Sequence, residues 1–256
     1  LLRHPAWGRA QETYGEDPVL LVEMGAALTR GVQHHNVVAT PKHFAANSME
    51  NARFHVDVEI DERTLREVYL PHFKRCIDAG AGAVMSAYNK VNGSYCGHNT
   101  ALLTRILKHE WGFEGFVYSD FILGCRSAEA LGAGRDVEAP DTIHFGEKLA
   151  AGVRGGEIPE ERLDDAVRRT LRSLLAVHAA PDPEFYEPGM IACGEHRALA
   201  REAAEKSIVL LKNESALPLE PEPGFELLVL GALADNENIG DHGSSHVFPP
   251  YLSLIH

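Results

Sequence analysis

Short apolar runs and longer amphipathic stretches alternate along the first part of the chain. Val37 to Phe44, Ala83 to Asn89 and Phe116 to Asp120 are bounded by Gly or Pro and rich in Val and Phe, so they read as buried parallel strands. Between the first two, Leu65, Val68, Tyr69, Phe73 and Ile77 recur at helical spacing behind Asp61, which predicts a capped helix from Asp61 to Ala79. Between the next two, Leu102, Leu103, Ile106 and Leu107 predict another helix ending near Gly112. Strand and helix in alternation make a parallel α/β sheet, closed or open.

A closed (β/α)8 barrel takes about 250 residues. Only a few strand signals precede Pro159, so the barrel reading is of a C-terminal part, with further units upstream of Leu1. Pro159 to His178, with Leu163, Val167, Leu171 and Leu174 on one face, predicts a long helix that closes this domain. Ala180 to Gly194, with its run of prolines and acidic residues, has the composition of a linker. A second α/β pattern follows: a helix from Glu195 to Lys206, then apolar Ile208 to Leu211 and Leu227 to Leu230 as strands. The expected division is therefore 1–179, a linker at 180–194, and 195–256 as the opening of a second domain that His256 leaves incomplete.

Composition narrows the partners. With 256 residues and 45% hydrophobic content the chain can bury a sizeable core. A net charge of −13 argues against nucleic acid or an anionic membrane as the main partner, because both call for concentrated positive charge. No uninterrupted apolar stretch approaches the roughly 20 residues of a membrane-spanning helix. Cys76, Cys96, Cys125 and Cys193 are scattered without a CxxC pair, which reads as reduced, buried thiols and not as a zinc site or a disulfide framework. Compartment and oligomeric state are left open. Asn92-Gly-Ser94 and Asn213-Glu-Ser215 fit the glycosylation pattern, although Asn92-Gly93 reads more simply as a tight turn.

The strongest chemical signal is where polar residues fall. Lys42 and His43, Tyr88 and Asn89, and Asp120 each end an expected strand. In barrels and open α/β sheets ligands bind at the carboxyl ends of strands, so these side chains can converge on one pocket. A carboxylate on a strand end, such as Asp120, can attack an anomeric carbon and leave again as a stable anion; the competing reading is a helix cap. Lys42 and His43 offer adjacent donors for sugar hydroxyls, or else are surface residues. Metal and nucleotide chemistry fare worse: His34 and His35 are neighbours that point apart, there is no HExxH, and the Gly-Ala-Gly triplets at Gly80 and Gly132 lack a third glycine.

Several stretches together resemble glycoside hydrolase family 3. They are Pro5-Ala-Trp-Gly-Arg9, Glu12-Thr-Tyr-Gly-Glu-Asp-Pro18, Lys42-His-Phe-Ala-Ala-Asn47, Val84-Met-Ser-Ala-Tyr-Asn-Lys-Val-Asn-Gly93, Glu110-Trp-Gly-Phe-Glu-Gly115, Tyr118-Ser-Asp120, Gly134-Arg-Asp-Val-Glu138 and Ser207-Ile-Val-Leu-Leu-Lys-Asn213. The resemblance implies a TIM-like barrel followed by an α/β sandwich, a retaining β-glucosidase chemistry, and no cofactor or metal. It places Asp120 on the nucleophile and Arg9, Lys42, His43 and Tyr88 on positions that hold the innermost sugar or flank the nucleophile. Asp241-His-Gly-Ser-Ser245 resembles a loop of the second domain, with Ser244 as its contact.

Three departures stand beside that resemblance. Phe121 occupies a place where Trp is common, keeping an apolar platform and losing an indole N–H. The upstream barrel units, with an acidic residue that grips the sugar's outer hydroxyls, are not in this sequence. The acid/base glutamate is expected later than His256 and is assigned to no residue here. The expected ligand is a β-glucoside or short oligosaccharide. β-Xylosidase or arabinosidase activity, and a sugar-binding product without catalysis, are the competing readings. The run after Lys42-His-Phe, Ala45-Ala-Asn47, argues against the N-acetylglucosaminidase branch.

Overall fold

A computed structural model describes residues 1–183, 186–236 and 246–248. The chain forms two compact units, Leu1–Pro183 and Glu184–His256, each considered by itself.

The first unit opens with a single 3-10 turn at Ala10–Glu12 and helix α1 (Pro18–His34). Asp17 starts α1 by accepting from the Val19 amide at 2.9 Å, and Pro18 costs nothing where no intrahelical donor is needed. A short strand β1 (Asp57–Val58) precedes α2 (Glu62–Thr64). The cap expected at Asp61 is present, its carboxylate accepting from the Thr64 amide at 2.9 Å and hydroxyl at 2.7 Å. The single helix expected to Ala79 is not. Leu65–Tyr69 forms a π-helical turn and α3 begins afresh at Pro71–Asp78. Pro71 has no N–H to donate into the preceding turn, and the Leu70 amide reaches back to Leu65 O at 3.0 Å.

Strand β2 is Ala83–Ser86, shorter than expected. β3 (Lys90–Val91) and β4 (Ser94–Tyr95) form a hairpin around Asn92 and Gly93, both left-handed with φ of 51° and 86°, so the tight-turn reading holds. Ala101–Glu110 is a π-helix that buries Leu102, Leu103, Ile106 and Leu107 as the pattern requires. β5 (Phe116–Ser119), α4 (Ala130–Ala133), α5 (Glu147–Arg154) and α6 (Glu160–Ala179) complete the unit.

At its centre β2 and β5 run parallel, Ala83 opposite Phe116 through Ser86 opposite Ser119. Single parallel bridges extend this pair on both sides, Phe44 to Ser86 and Val137 to Tyr118. Four segments thus lie side by side in chain order, an α/β arrangement. Val37 to Phe44 is not a regular strand, however. It hugs β2 through Ala83 N to Ala39 O at 3.4 Å, Met85 N to Pro41 O at 3.2 Å and Phe44 N to Met85 O at 2.8 Å, and Pro41, which lacks an N–H, interrupts the ladder.

The core packs Phe44 edge-on to Phe73 and Trp111, with ring centres 5.1 and 5.9 Å apart, against Leu102, Leu103, Ile106 and Val117. Cys76, Cys96 and Cys125 are buried free thiols and Cys193 is a half-buried one. Helix α6 departs from its expected face. Leu163 packs inward, but Val167, Leu171 and Leu174 remain 47 to 49% exposed. The buried stripe is instead Ala166 and Ser173, flanked by Arg162 and Arg169, which donate to Arg135 O at 2.8 Å and Gly115 O at 3.3 Å. Small side chains and arginine stems let this helix approach the sheet while capping carbonyls that no strand partner takes.

In the second unit, α7 (Gly194–Ser207) covers the helix expected from Glu195 to Lys206. The expected strands Ile208 to Leu211 and Leu227 to Leu230 are not formed, and their side chains are exposed. A strand exists only as one side of a ladder, and among the described residues nothing pairs with either segment.

Candidate active site

The polar ends of three of the four parallel segments come together. Pro41 leads directly into Lys42 and His43; β2 ends two residues before Tyr88; β5 ends one residue before Asp120. Arg9 arrives from the N-terminal segment. Its Nη1 lies 3.0 Å from His43 Nε2, and its Nε donates to Glu12 Oε1 at 2.9 Å while Nη2 pairs with the other Glu12 oxygen. His43 Nε2 in turn lies 3.4 Å from Asp120 Oδ2.

A guanidinium only donates, so Nε2 of His43 accepts from Arg9 and the imidazole is neutral with its proton on Nδ1. Burial, then the charges of Arg9, Lys42 and Arg53, hold this imidazole down at about 2. The contact with Asp120 is consequently not an ion pair. Asp120 Oδ1 accepts from the Phe121 amide at 2.8 Å, whereas Oδ2 is buried without a hydrogen-bond donor. Burial raises the Asp120 carboxyl above its usual range; the Phe121 amide, the nearby Tyr88 hydroxyl and the fields of Arg9 and Arg53 pull the other way. The Tyr88 hydroxyl donates to Phe121 O at 2.8 Å, and burial followed by the Asp120 charge pushes its own ionisation upward.

Beneath the site a buried ionic network fixes β5. Asp136 receives Lys108 Nζ at 2.7 and 2.9 Å, the Val117 amide at 2.8 Å and the Arg162 guanidinium. Val117 sits three residues before Asp120, so the network anchors the strand that presents it. Burial brings Lys108 down to about 8 against the opposing pull of Asp136.

Of the residues expected at a site, Arg9, His43 and Asp120 form one contact chain, Tyr88 and Phe121 are joined by a hydrogen bond, and Lys42 stands close enough to bias His43. Ser244 lies outside the described residues. Arg9, Lys42 and His43 also line a cavity of about 380 Å³ with Trp7, Thr40 and Asn47; Asp120, Tyr88 and Phe121 do not line it. One residue escapes the sequence reading. Arg53 packs its guanidinium 4.9 Å from the Tyr88 ring centre, is held by Glu50 at 2.8 Å, and acts electrostatically on Asp120, His43 and Tyr88. It sits in an irregular segment with no periodic pattern, so only an unassigned cation ten positions after His43 could have signalled it.

Residues 1–173 match the family described as glycosyl hydrolase family 3 N terminal domain. The chain belongs to this family. It is 40% identical over 246 residues to a beta-glucosidase of Rhizobium radiobacter, covering 95% of this chain and 30% of that protein. Against thermostable beta-glucosidase B of Acetivibrio thermocellus the identity is 40% over 259 residues, covering 99% and 33% respectively. The solved structure of beta-glucosidase 3B from Thermotoga neapolitana in complex with glucose matches with a TM-score of 0.83 at 36% identity, covering 98% of this chain and 36% of that one. This family 3 chain thus spans about a third of the length of the curated relatives it matches.

Proposed function

We propose that the protein carrying this chain hydrolyses terminal non-reducing β-D-glucosyl residues by retaining double displacement, with Asp120 as nucleophile. The observation that carries this reading is a buried carboxylate at the end of β5, tethered by the Phe121 amide and set among Arg9, Arg53 and the neutral His43. The relatives' names point the same way. Of its two oxygens, Oδ2 is buried without a donor, while Oδ1 is held by the Phe121 amide.

In the first step a carboxylate oxygen of Asp120 bonds to the anomeric carbon as the glycosidic C–O bond breaks, and a carboxylic acid gives its proton to the departing oxygen. Water then attacks the same carbon, loses a proton to that second carboxylate, and frees Asp120. The two carboxyl groups stand about 5 to 5.5 Å apart in retaining enzymes; we assign the second to no residue of this chain. Arg9 and Lys42 donate to sugar hydroxyls, His43 and Tyr88 shape the nucleophile's surroundings, Phe121 offers an apolar face, and Ser244 is a further contact. No metal or cofactor enters this chemistry. We place residues 1–179 in the C-terminal part of a (β/α)8 barrel, 180–194 in a linker and 195–256 at the start of an α/β sandwich.

A fluorinated 2-deoxy-glucoside traps a retaining nucleophile. Mass spectrometry of the labelled full-length protein is expected to find the label on the peptide containing Asp120. Label on another carboxylate would overturn the assignment, and labelling by the xylose counterpart alone would overturn the choice of sugar.

A further inference from the structure

The two guanidinium groups whose fields act on Asp120 come from irregular backbone. Arg9 ends the arm 5–9, which is held by isolated turns such as Trp7 N to His4 O at 3.0 Å, and Arg53 lies in a run of turns at 51–55. Neither segment has a helix or a strand ladder to fix its side chains. Each depends on tethers that side chains supply.

Glu50 tethers both segments at once. Its Oε1 accepts from Trp7 Nε1 at 3.2 Å and its Oε2 from Arg53 Nη1 at 2.8 Å. With 18% of its side chain exposed, it differs from the solvated ion pairs that contribute little. The arm passes close over it, since a Cβ on Gly8 would lie 3.3 Å from Glu50 Cγ. Arg9 has a carboxylate partner of its own in Glu12, and among the described residues Glu50 is the carboxylate that Arg53 pairs with. Held there, the Arg53 guanidinium lies 4.9 Å from the centres of both the Phe54 and the Tyr88 rings.

We propose that Glu50 is a positioning residue of this site: one oxygen fixes the 5–9 arm through Trp7, the other holds Arg53 beside Tyr88, and through Arg53 it acts on Asp120. This rests on the glucosidase reading above. Asp120 is faced by Arg9, Arg53, Tyr88, Tyr118 and the neutral His43, and the two guanidinium groups favour its charged form. Releasing Arg53 therefore lets Asp120 take up its proton at higher pH.

The test is the pH profile of kcat/KM for an aryl β-D-glucoside in the full-length protein and in Glu50→Gln, Arg53→Gln and the double variant; its acid limb reports the free enzyme's nucleophile. Glutamine keeps the side chain's length but has one acceptor oxygen, so it cannot serve Trp7 and Arg53 together. Glu50→Gln is expected to lower kcat/KM about tenfold and to move the acid limb to higher pH by roughly half a pH unit. The double variant is expected to lose no more than about twofold beyond Arg53→Gln, because residues acting as one unit are not additive. A limb that stays in place would mark Glu50 as merely structural, and one that moves to lower pH would mark it as a background negative charge; either result, or losses that multiply, overturns the proposal. Should Glu50→Gln not fold, Glu50→Asp keeps the charge one methylene short of its partners, and the same upward movement is expected, with an unmoved limb again overturning the role. If the wild type turns over no β-glucoside, the glucosidase reading fails and the positioning role falls with it.

Discussion

His43 presents an unprotonated nitrogen to Asp120: its Nε2 lies 3.4 Å from Asp120 Oδ2 and accepts from Arg9 Nη1 at 3.0 Å. A histidine beside a carboxylate is commonly read as an ion pair, and here the third partner decides otherwise. Arg9 thereby sets the protonation of His43 and leaves Asp120 Oδ2 without a donor.

Replacing Arg9 by Met removes that control. The imidazole proton is expected to move from Nδ1 toward Nε2, where it can donate to Asp120, and histidine-selective 15N spectra report the change of tautomer. Loss of a charge-assisted donor to the sugar, worth about 1.5–3 kcal/mol, lowers kcat/KM by roughly 10- to 100-fold.

Asp120→Asn separates catalysis from stability. Activity on aryl glucosides is expected to fall by at least about 10³-fold, as for other removed catalytic residues. Burial raises the folded-state carboxyl above its unfolded value, so the folded state binds the extra proton and wild-type stability falls as pH rises through that window. The Asn variant lacks this cost. Thermal unfolding is expected to show it as stable as wild type in acid and more stable at neutral pH.

His72 gives the opposite slope. Burial holds its imidazole at about 3, and its Nδ1 has no hydrogen-bond partner. The folded state then binds fewer protons than the unfolded one between an ordinary histidine value and about 3, and stability drops as pH falls through that range. His72→Leu is expected to raise the urea midpoint more at pH 5 than at pH 7.

Asp136→Ala leaves Lys108 as an uncompensated buried cation, while Arg162 keeps its pair with Asp165; removing one partner of a buried pair costs about 3–5 kcal/mol. Chemical denaturation measures the loss. Because Asp136 also holds the Val117 amide, the remaining folded enzyme is expected to show reduced kcat as well.

Much of this was legible in the chain. Asp61, Asn92-Gly93 and the Leu102 to Leu107 stripe each behave as local chemistry requires, since a cap, a left-handed turn and an apolar face depend on neighbours a few residues away. Where longer-range partners decide, the pattern misleads. Val37 to Phe44 has strand composition, yet Pro41 breaks its ladder; α6 carries a leucine stripe, yet it docks through Ala166, Ser173 and arginine stems. Arg53 gave no signal, because its role depends on folding an irregular segment against the Tyr88 ring.

The sequence by itself determined the family, through an ordered set of short motifs, and the alternation of parallel β with α, because hydrophobic periodicity is a local property. It also marked Asp120, Lys42, His43 and Tyr88 as the ends of apolar runs. Only the tertiary structure decided which of these touch, that His43 is neutral, and that burial lifts the Asp120 carboxyl. Protonation and proximity depend on desolvation and on charges far apart in the chain, such as Arg9 against His43 and Asp120, which come within a few ångströms only once the sheet has formed.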